Sequence, residues 1–295
     1  MIHSPKVTSR DVNSRTMLKL SFYRQKALEV LTPLYGEREA KSIRSLWFQE
    51  RLGLSPVDCV LSENEHIDFD EFHNDLLALE KGQPIQLILG IAHFLGGDFF
   101  VDENTLVPRP ETEELVLAIL QKFKQKSLRV TDVGTGSGCI AIALKKERPY
   151  WTIKGVDVNE YALKTAQKNA NHHSVKVDFI RLDALTETLQ EVDLIVSNPP
   201  YIPERELETM QNLVIDNEPH LALFVPNDDP LLFYRKILES STKNSESESV
   251  YFAFEIHENY GDEMKQLCAS FQLKEITLEK DLQGKDRMIF ARHGN

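Results

Sequence analysis

Apolar positions recur at helical spacing through the first quarter of the chain. Leu28, Leu31, Leu34 and Tyr35 form one such set, Ala40, Ile43 and Trp47 a second, and Phe72, Leu76 and Leu79 a third. Gly36, Gly53-Leu54-Ser55-Pro56 and Gly82-Gln83-Pro84 punctuate them. The pattern predicts a small helical bundle from residue 15 to about residue 84, within an N-terminal domain of residues 1–84. Asp68 or Asp70 is placed to cap its last helix. No catalytic cluster stands out in this region, so its expected role is structural or partner-binding.

The pattern changes between residues 85 and 107. Short apolar runs, Ile85-Gln86-Leu87-Ile88-Leu89 and Phe99-Phe100-Val101, lie around Gly90, Gly96 and Gly97. They predict a β-hairpin or an extended linker. From Pro108 to residue 295 strand-like runs alternate with helical segments. Strands are expected over residues 129–133, 152–158, 176–181, 193–197, 250–256, 275–279 and 287–291. Such alternation predicts an α/β domain with a mostly parallel, doubly wound sheet. The polar, serine-rich stretch 240–249 reads as a solvated loop.

Two turns carry candidate chemistry. Asp132-Val133-Gly134-Thr135-Gly136-Ser137-Gly138 follows the first strand of the α/β region and opens a helix. Glycines 134, 136 and 138 let backbone approach a ligand at a helix N-terminus. Asp157 ends the next strand, where an acid can accept hydrogen bonds from both ribose hydroxyls of a nucleotide. Ile140 and Ala141 stand where a dinucleotide fingerprint has its third glycine, and no Walker lysine follows. The turn therefore suits S-adenosylmethionine better than NAD or a nucleoside triphosphate. Asp183, after the third strand, is placed either to reach the adenine amino group or to act as a plain turn aspartate.

The second turn is Asn198-Pro199-Pro200-Tyr201, after the apolar run Leu194-Ile195-Val196. Two prolines cannot continue a strand ladder, so the strand stops in a stiff turn at its carboxyl edge. That edge is where open α/β sheets bind ligands. An amide side chain, proline carbonyls and an aromatic ring together suit a planar NH2 group.

Composition narrows the partners. The 295 residues carry 46 acidic and 34 basic side chains, a net charge of -12. That disfavours a surface built to grip bare nucleic acid. Three scattered cysteines, Cys59, Cys139 and Cys268, give neither zinc spacing nor a disulfide framework. The N-terminus lacks a signal-peptide core, and no run approaches the ~20 apolar residues of a membrane span. The expectation is a cytoplasmic protein without bound metal, acting as a monomer.

With both turns in hand, the chain resembles the PrmC/HemK family, the release-factor glutamine methyltransferases. Gly82-Gln83-Pro84-Ile85-Gln86 and Phe94-Leu95-Gly96 resemble the family's interdomain segment, and Leu106 to Glu113 the signature that opens its catalytic domain. Glu218 to Leu223 and Asp281 to Arg287 resemble its C-terminal motifs. The resemblance implies a Rossmann-like class I methyltransferase sheet carrying a helical N-terminal domain and a hairpin linker. It also implies S-adenosyl-L-methionine as cofactor, and as substrate the glutamine of the Gly-Gly-Gln loop of bacterial release factors. Asn198, Pro199, Pro200 and Tyr201 would hold that glutamine; Gly134, Thr135, Gly136, Ser137, Gly138, Asp157, Asp183, Ala184 and Asn198 would line the cofactor. Leu87, Ala184 and Val225 to Asp229 depart from the family's usual residues. Three rival readings stay open: an exocyclic amine of a flipped adenine as substrate, a ribosomal-protein glutamine, and a non-catalytic factor that retains the fold.

Overall fold

The structure, a computed structural model, describes residues 17–189, 192–208, 219–242 and 249–294. The chain divides into two units, Met1–Lys81 and Gly82–Asn295.

In the first unit a short strand, β1 (Leu18–Lys19), pairs antiparallel with β2 (His66–Ile67). Helix α1 (Leu20–Leu52) is interrupted at Gly36, whose φ of 78° suits a residue without a Cβ. It ends at Gly53 in the left-handed region. A capping box between Ser55 and Asp58 starts α2 (Pro56–Leu61). Helix α3 (Phe72–Glu80) begins after Glu71, so neither Asp68 nor Asp70 occupies its N-cap. Aromatic packing sets that start: Phe69 and Phe72 are buried with Tyr23 and Trp47. The Phe72 N–H closes a turn on the Phe69 carbonyl at 3.1 Å. Trp47 stacks on Phe72 with centroids 5.0 Å apart and donates its indole N–H to Asp75 Oδ2 at 2.8 Å. Arg51 neutralises the same buried carboxylate with two hydrogen bonds.

The second unit opens with a helix where the sequence predicts extended backbone: α4 (Ile85–Leu89). A five-residue apolar run does not distinguish helix from strand. Here Pro84 at the N-cap and Gly90, with φ 71°, at the C-cap frame one helical turn. The hairpin follows as β3 (Ile91–Phe94) and β4 (Gly97–Phe100). Leu95 and Gly96, both at positive φ, form its tight turn. It is no loose linker, because Phe94 and Phe99 are buried in the core of this unit. Asn169 ties it down: Oδ1 accepts the Phe100 N–H at 2.7 Å, and Nδ2 donates to the carbonyls of Phe100 and Ser137 at 2.9 and 2.8 Å.

The central sheet contains β5 (Arg129–Val133), β6 (Thr152–Asp157), β7 (Asp178–Arg181), β8 (Leu194–Ser197), β11 (Val250–Glu255), β12 (Lys274–Lys280) and β13 (Asp286–His293). Their spatial order is β12-β13-β11-β8-β5-β6-β7, with β13 antiparallel to both neighbours and the other pairings parallel. A small parallel pair, β9 (Ile202–Pro203) with β10 (Phe224–Val225), lies apart from it. One face of the sheet, with Val130, Val196 and Ala253, packs against α5 (Pro110–Lys122) and α6 (Cys139–Glu147) through Leu115, Ile119, Ile140 and Leu144. Helix α7 (Glu160–His172), which carries Asn169, adds Ala170 to that layer. The short α8 (His220–Leu223) precedes β10. The other face, with Ile195, Phe252 and Phe254, packs against α9 (Leu232–Thr242) and α10 (Gly261–Ser270). Of the expected polar loop, residues 240–242 instead finish α9, with Ser241 buried, and residues 243–248 lie outside the described residues.

The chain steps from β5 outward to β6 and β7, then returns to β8 on the other side of β5. The crevice at the carboxyl ends of β5 and β8 is thus the switch point of the sheet.

Because Asn169 is fully buried and serves three backbone groups, Asn169→Ala should lower stability by roughly 2–4 kcal/mol. Denaturant titration should show a lower midpoint for the second unit; an unchanged midpoint would show that the hairpin is held by packing alone.

Candidate active site

The first wall of the crevice is the glycine turn after β5. Gly134 and Gly136 have φ of 71° and 53°, and a Cβ built on either would meet nothing within 4 Å. That open cradle is the space a bound cofactor needs. Gly138 is also required by packing, since its Cβ would lie 3.1 Å from Ala166, Ile142 and Phe179. Thr135 and Ser137 are buried. Thr135 donates to Asp132 Oδ2 at 2.6 Å, whereas Asp132 Oδ1 and the Ser137 hydroxyl have no partner within the protein. Burial pushes the Asp132 carboxyl up to about 7, against the opposing Thr135 hydrogen bond.

Asp157 ends β6 beside this turn. Its Oδ2 accepts the Gly136 N–H at 3.0 Å and its Oδ1 the Asn159 N–H at 2.9 Å. Burial raises its pKa, and these N–H groups oppose the shift. Each oxygen keeps a lone pair for a ribose hydroxyl. These residues fit an S-adenosylmethionine nucleoside. After β7, Asp183 accepts from the Leu185 N–H at 2.9 Å and the Thr186 hydroxyl at 3.0 Å. Its carboxylate thus organises its own turn. Ala184 packs on the core of the second face.

The second wall is the turn after β8. Ser197 donates to the Val133 carbonyl at 2.7 Å, joining the two strand ends from which both turns grow. Asn198, Pro199 and Tyr201 line a cleft of about 210 Å³ with Leu106, Arg109, Ile202, Ala222 and Leu223. The pairing of β9 with β10 brings Ile202 opposite Phe224, next to the last two of these. Asn198 Nδ2 donates to Thr112 Oγ1 at 3.1 Å, and Thr112 donates to Glu255 Oε2 at 2.7 Å. The Tyr201 hydroxyl donates to Glu255 Oε1 at 3.1 Å, and Tyr234 to the Glu255 backbone carbonyl at 2.8 Å. Glu255 is 1% exposed. Burial pushes its carboxyl up to about 7; the Thr112 hydrogen bond and the Arg287 charge pull the other way. Burial, then the Glu255 charge, drives the Tyr201 phenol well above its ordinary range.

Both turns follow the strands expected from the sequence, and beside the second lie Thr112 and Glu255, which the sequence alone does not bring to it. A signal for Glu255 is present, namely one carboxylate at the end of an otherwise apolar strand, Val250–Glu255. The acids flanking Thr112 do more than favour a helix start. Glu113 accepts the Leu95 N–H at 2.7 Å, Glu114 the Leu282 N–H at 3.0 Å, and Glu111 the Gln283 side-chain amide at 3.4 Å. Phe99 is core, and Phe100 packs beneath Lys168 Nζ at 3.5 Å. His172 and His173 pack on Phe100 and Phe99. No group of potential metal ligands forms among the described residues. Glu218 lies outside them. The three cysteines are buried and unpaired, and no described helix is long and apolar enough to cross a membrane.

Sheet order, glycine cradle and the acid ending β6 define a class I methyltransferase. The family model "Methyltransferase small domain" matches residues 112–223. A release factor glutamine methyltransferase from Flavobacterium psychrophilum is 43% identical, over 90% of this chain and 96% of its own. One from Bacteroides thetaiotaomicron is 38% identical, over 88% and 95%. The chain belongs to the release factor glutamine methyltransferase family, and it is therefore an enzyme whose methyl donor is S-adenosyl-L-methionine. Among solved structures, the hMettl16 catalytic domain in complex with an RNA hairpin aligns with a TM-score of 0.53, 13% identity, and coverage of 88% and 93%. That likeness concerns the fold alone.

Asp157→Ala should weaken S-adenosylmethionine binding by about one to two orders of magnitude, the worth of charge-assisted hydrogen bonds to the ribose. Calorimetry would measure it, and an unchanged Kd would move the ribose away from β6.

Proposed function

We propose that this protein methylates the side-chain amide nitrogen, N5, of the glutamine in the Gly-Gly-Gln loop of bacterial peptide chain release factors. The direction of the Asn198 amide carries this reading. With Nδ2 given to Thr112, its Oδ1 remains for a ligand in the cleft that Asn198 and Pro199 line. The glycines of such a loop bear no side chains, so its backbone can approach the cleft closely.

A glutamine amide nitrogen is a poor nucleophile because its lone pair is delocalised into the carbonyl. Asn198 Oδ1 accepts one amide hydrogen and the Pro199 carbonyl the other. Together they fix the NH2 plane and leave the nitrogen lone pair facing the glycine cradle. Tyr201, tethered to Glu255, forms a rigid wall against the amide. The sulfonium of the bound donor supplies an electrophilic methyl group with a good leaving group. Catalysis by this chain is orientation and electrostatic positioning. The proton leaves after transfer, when the alkylated nitrogen is far more acidic, so Asn198 need not act as a base.

The helical unit is the natural site for holding the release factor itself. Its α2 presents Val57, Val60 and Leu61 to solvent at 66%, 56% and 78% exposure, an apolar strip with no chemistry of its own. A net charge of -12 counts against a nucleic-acid substrate. A cytoplasmic place of action follows from the substrate.

Asn198→Ala should slow single-turnover methylation of a release factor by about 10²–10³-fold while the cofactor still binds. Mass spectrometry of the release-factor glutamine peptide reads this directly; wild-type rates in the variant would mean that the amide is held elsewhere. Val57→Asp combined with Leu61→Asp should raise KM for the whole release factor about tenfold or more and leave kcat and cofactor affinity unmoved. If KM stays put, another surface does the docking.

A further inference from the structure

Hydrogen counting around Glu255 constrains the reacting centre. A hydroxyl has one hydrogen to give, and an ionised carboxylate has none. Thr112 Oγ1 lies 2.7 Å from Glu255 Oε2 and 3.1 Å from the Asn198 side chain. With Glu255 ionised, the Thr112 hydrogen must point at Oε2. Its oxygen can then only accept from Asn198, so the group facing it must be Nδ2 and Oδ1 must face the other way. With Glu255 protonated, the count reverses. The acid can donate to Thr112, and the Thr112 hydrogen becomes available to Asn198 Oδ1. The amide is then no longer held and is free to turn over and present its NH2 to a substrate NH2, donor against donor.

We propose that Glu255 and Thr112 are positioning residues that lock the Asn198 amide with its oxygen toward the substrate, so that ionised Glu255 is a precondition for methyl transfer. The inference rests on reading the cleft as the glutamine site. Glu255 is placed for this role by fold: it ends β11, whose Phe254 pairs with Ser197 on β8, the residue before Asn198. Thr112 reaches it from the first turn of α5.

Charged and titratable groups face Glu255 from several elements, the buried Cys139 thiol at the start of α6 among them. Glu111 on α5 disfavours its ionisation and Arg287 on β13 favours it. Tyr201 donates to it from the turn, and Tyr234 approaches from α9. His257, just beyond β11, packs edge-on against Tyr201 and pairs with Glu206. With the Glu255 carboxyl raised to about 7, protonation below that pH should disable the site. The kcat profile should therefore fall on the acid side, approaching tenfold per pH unit.

Three measurements on the full-length enzyme test this. Thr112→Val, which keeps shape and removes the hydroxyl, should lower kcat about 10- to 100-fold with cofactor Kd unchanged, and Thr112→Ser should restore most of it. Glu255→Gln keeps an acceptor for Thr112 but cannot titrate, so it should retain partial activity and lose the acid limb near pH 7. A limb that persists in Glu255→Gln belongs to another group and overturns the proposal, as does wild-type kcat in Thr112→Val. The third measurement needs no substrate. The side-chain NH2 resonances of Asn198 in ¹⁵N-labelled protein should shift with pH around 7 in the wild type and not in Glu255→Gln. Absence of that wild-type titration refutes the lock by itself. An enzyme that shows it yet fails to methylate release factors would instead refute the substrate assignment.

Discussion

Parallel pairing of β5 with β8 is the constraint on which the site depends. Val133 lies opposite Ser197 in that pair, and the Ser197 hydroxyl closes on the Val133 carbonyl. The glycine turn leaves one strand end and the Asn-Pro-Pro-Tyr turn leaves the other. The glycine cradle and the Asn198 cleft are therefore separated by one strand spacing, about 4.8 Å. A one-residue slip between these strands would turn Asn198 to the other face of the sheet and dismantle both turns at once.

A second organiser is the opening turn of α5. Four consecutive residues reach four different places: Glu111 to Gln283, Thr112 to Glu255, Glu113 to Leu95 and Glu114 to Leu282. Acids at a helix start are favoured by the dipole, so the three glutamates make their contacts from positions that already suit them. Local preference and tertiary demand agree here. The hairpin, the central sheet and the C-terminal loop all take their bearings from this one turn.

Much of this was legible in the sequence. Strands β5, β6, β8 and β11 lie close to where apolar runs and turn signals place them, because buried parallel strands are rich in Val, Ile and Phe, and antiparallel β13 is marked in the same way by Met288-Ile289-Phe290-Ala291. The glycines at 134 and 136, the acid at 157 and the prolines at 199 and 200 announce themselves through backbone constraints that few other residues meet. Other features depend on partners distant in sequence. The α4 run is helical because Gly90 closes it, and the start of α3 is set by Phe69 entering a ring cluster with Trp47 and Tyr23. Glu255 meets Thr112 across 143 positions of sequence. A carboxylate in an apolar run signals a need for partners but does not say which.

The last strand has a consequence for how the molecule comes into being. β13 follows β12 in the chain yet inserts between β11 and β12. It also brings Arg287 into the field of Glu255. A growing polypeptide that lacks it has β12 without its neighbour and β11 with an open edge, the kind of edge that invites wrong pairing. Without β13 the sheet loses both of its antiparallel pairings, and the cleft loses the Arg287 charge that favours ionised Glu255.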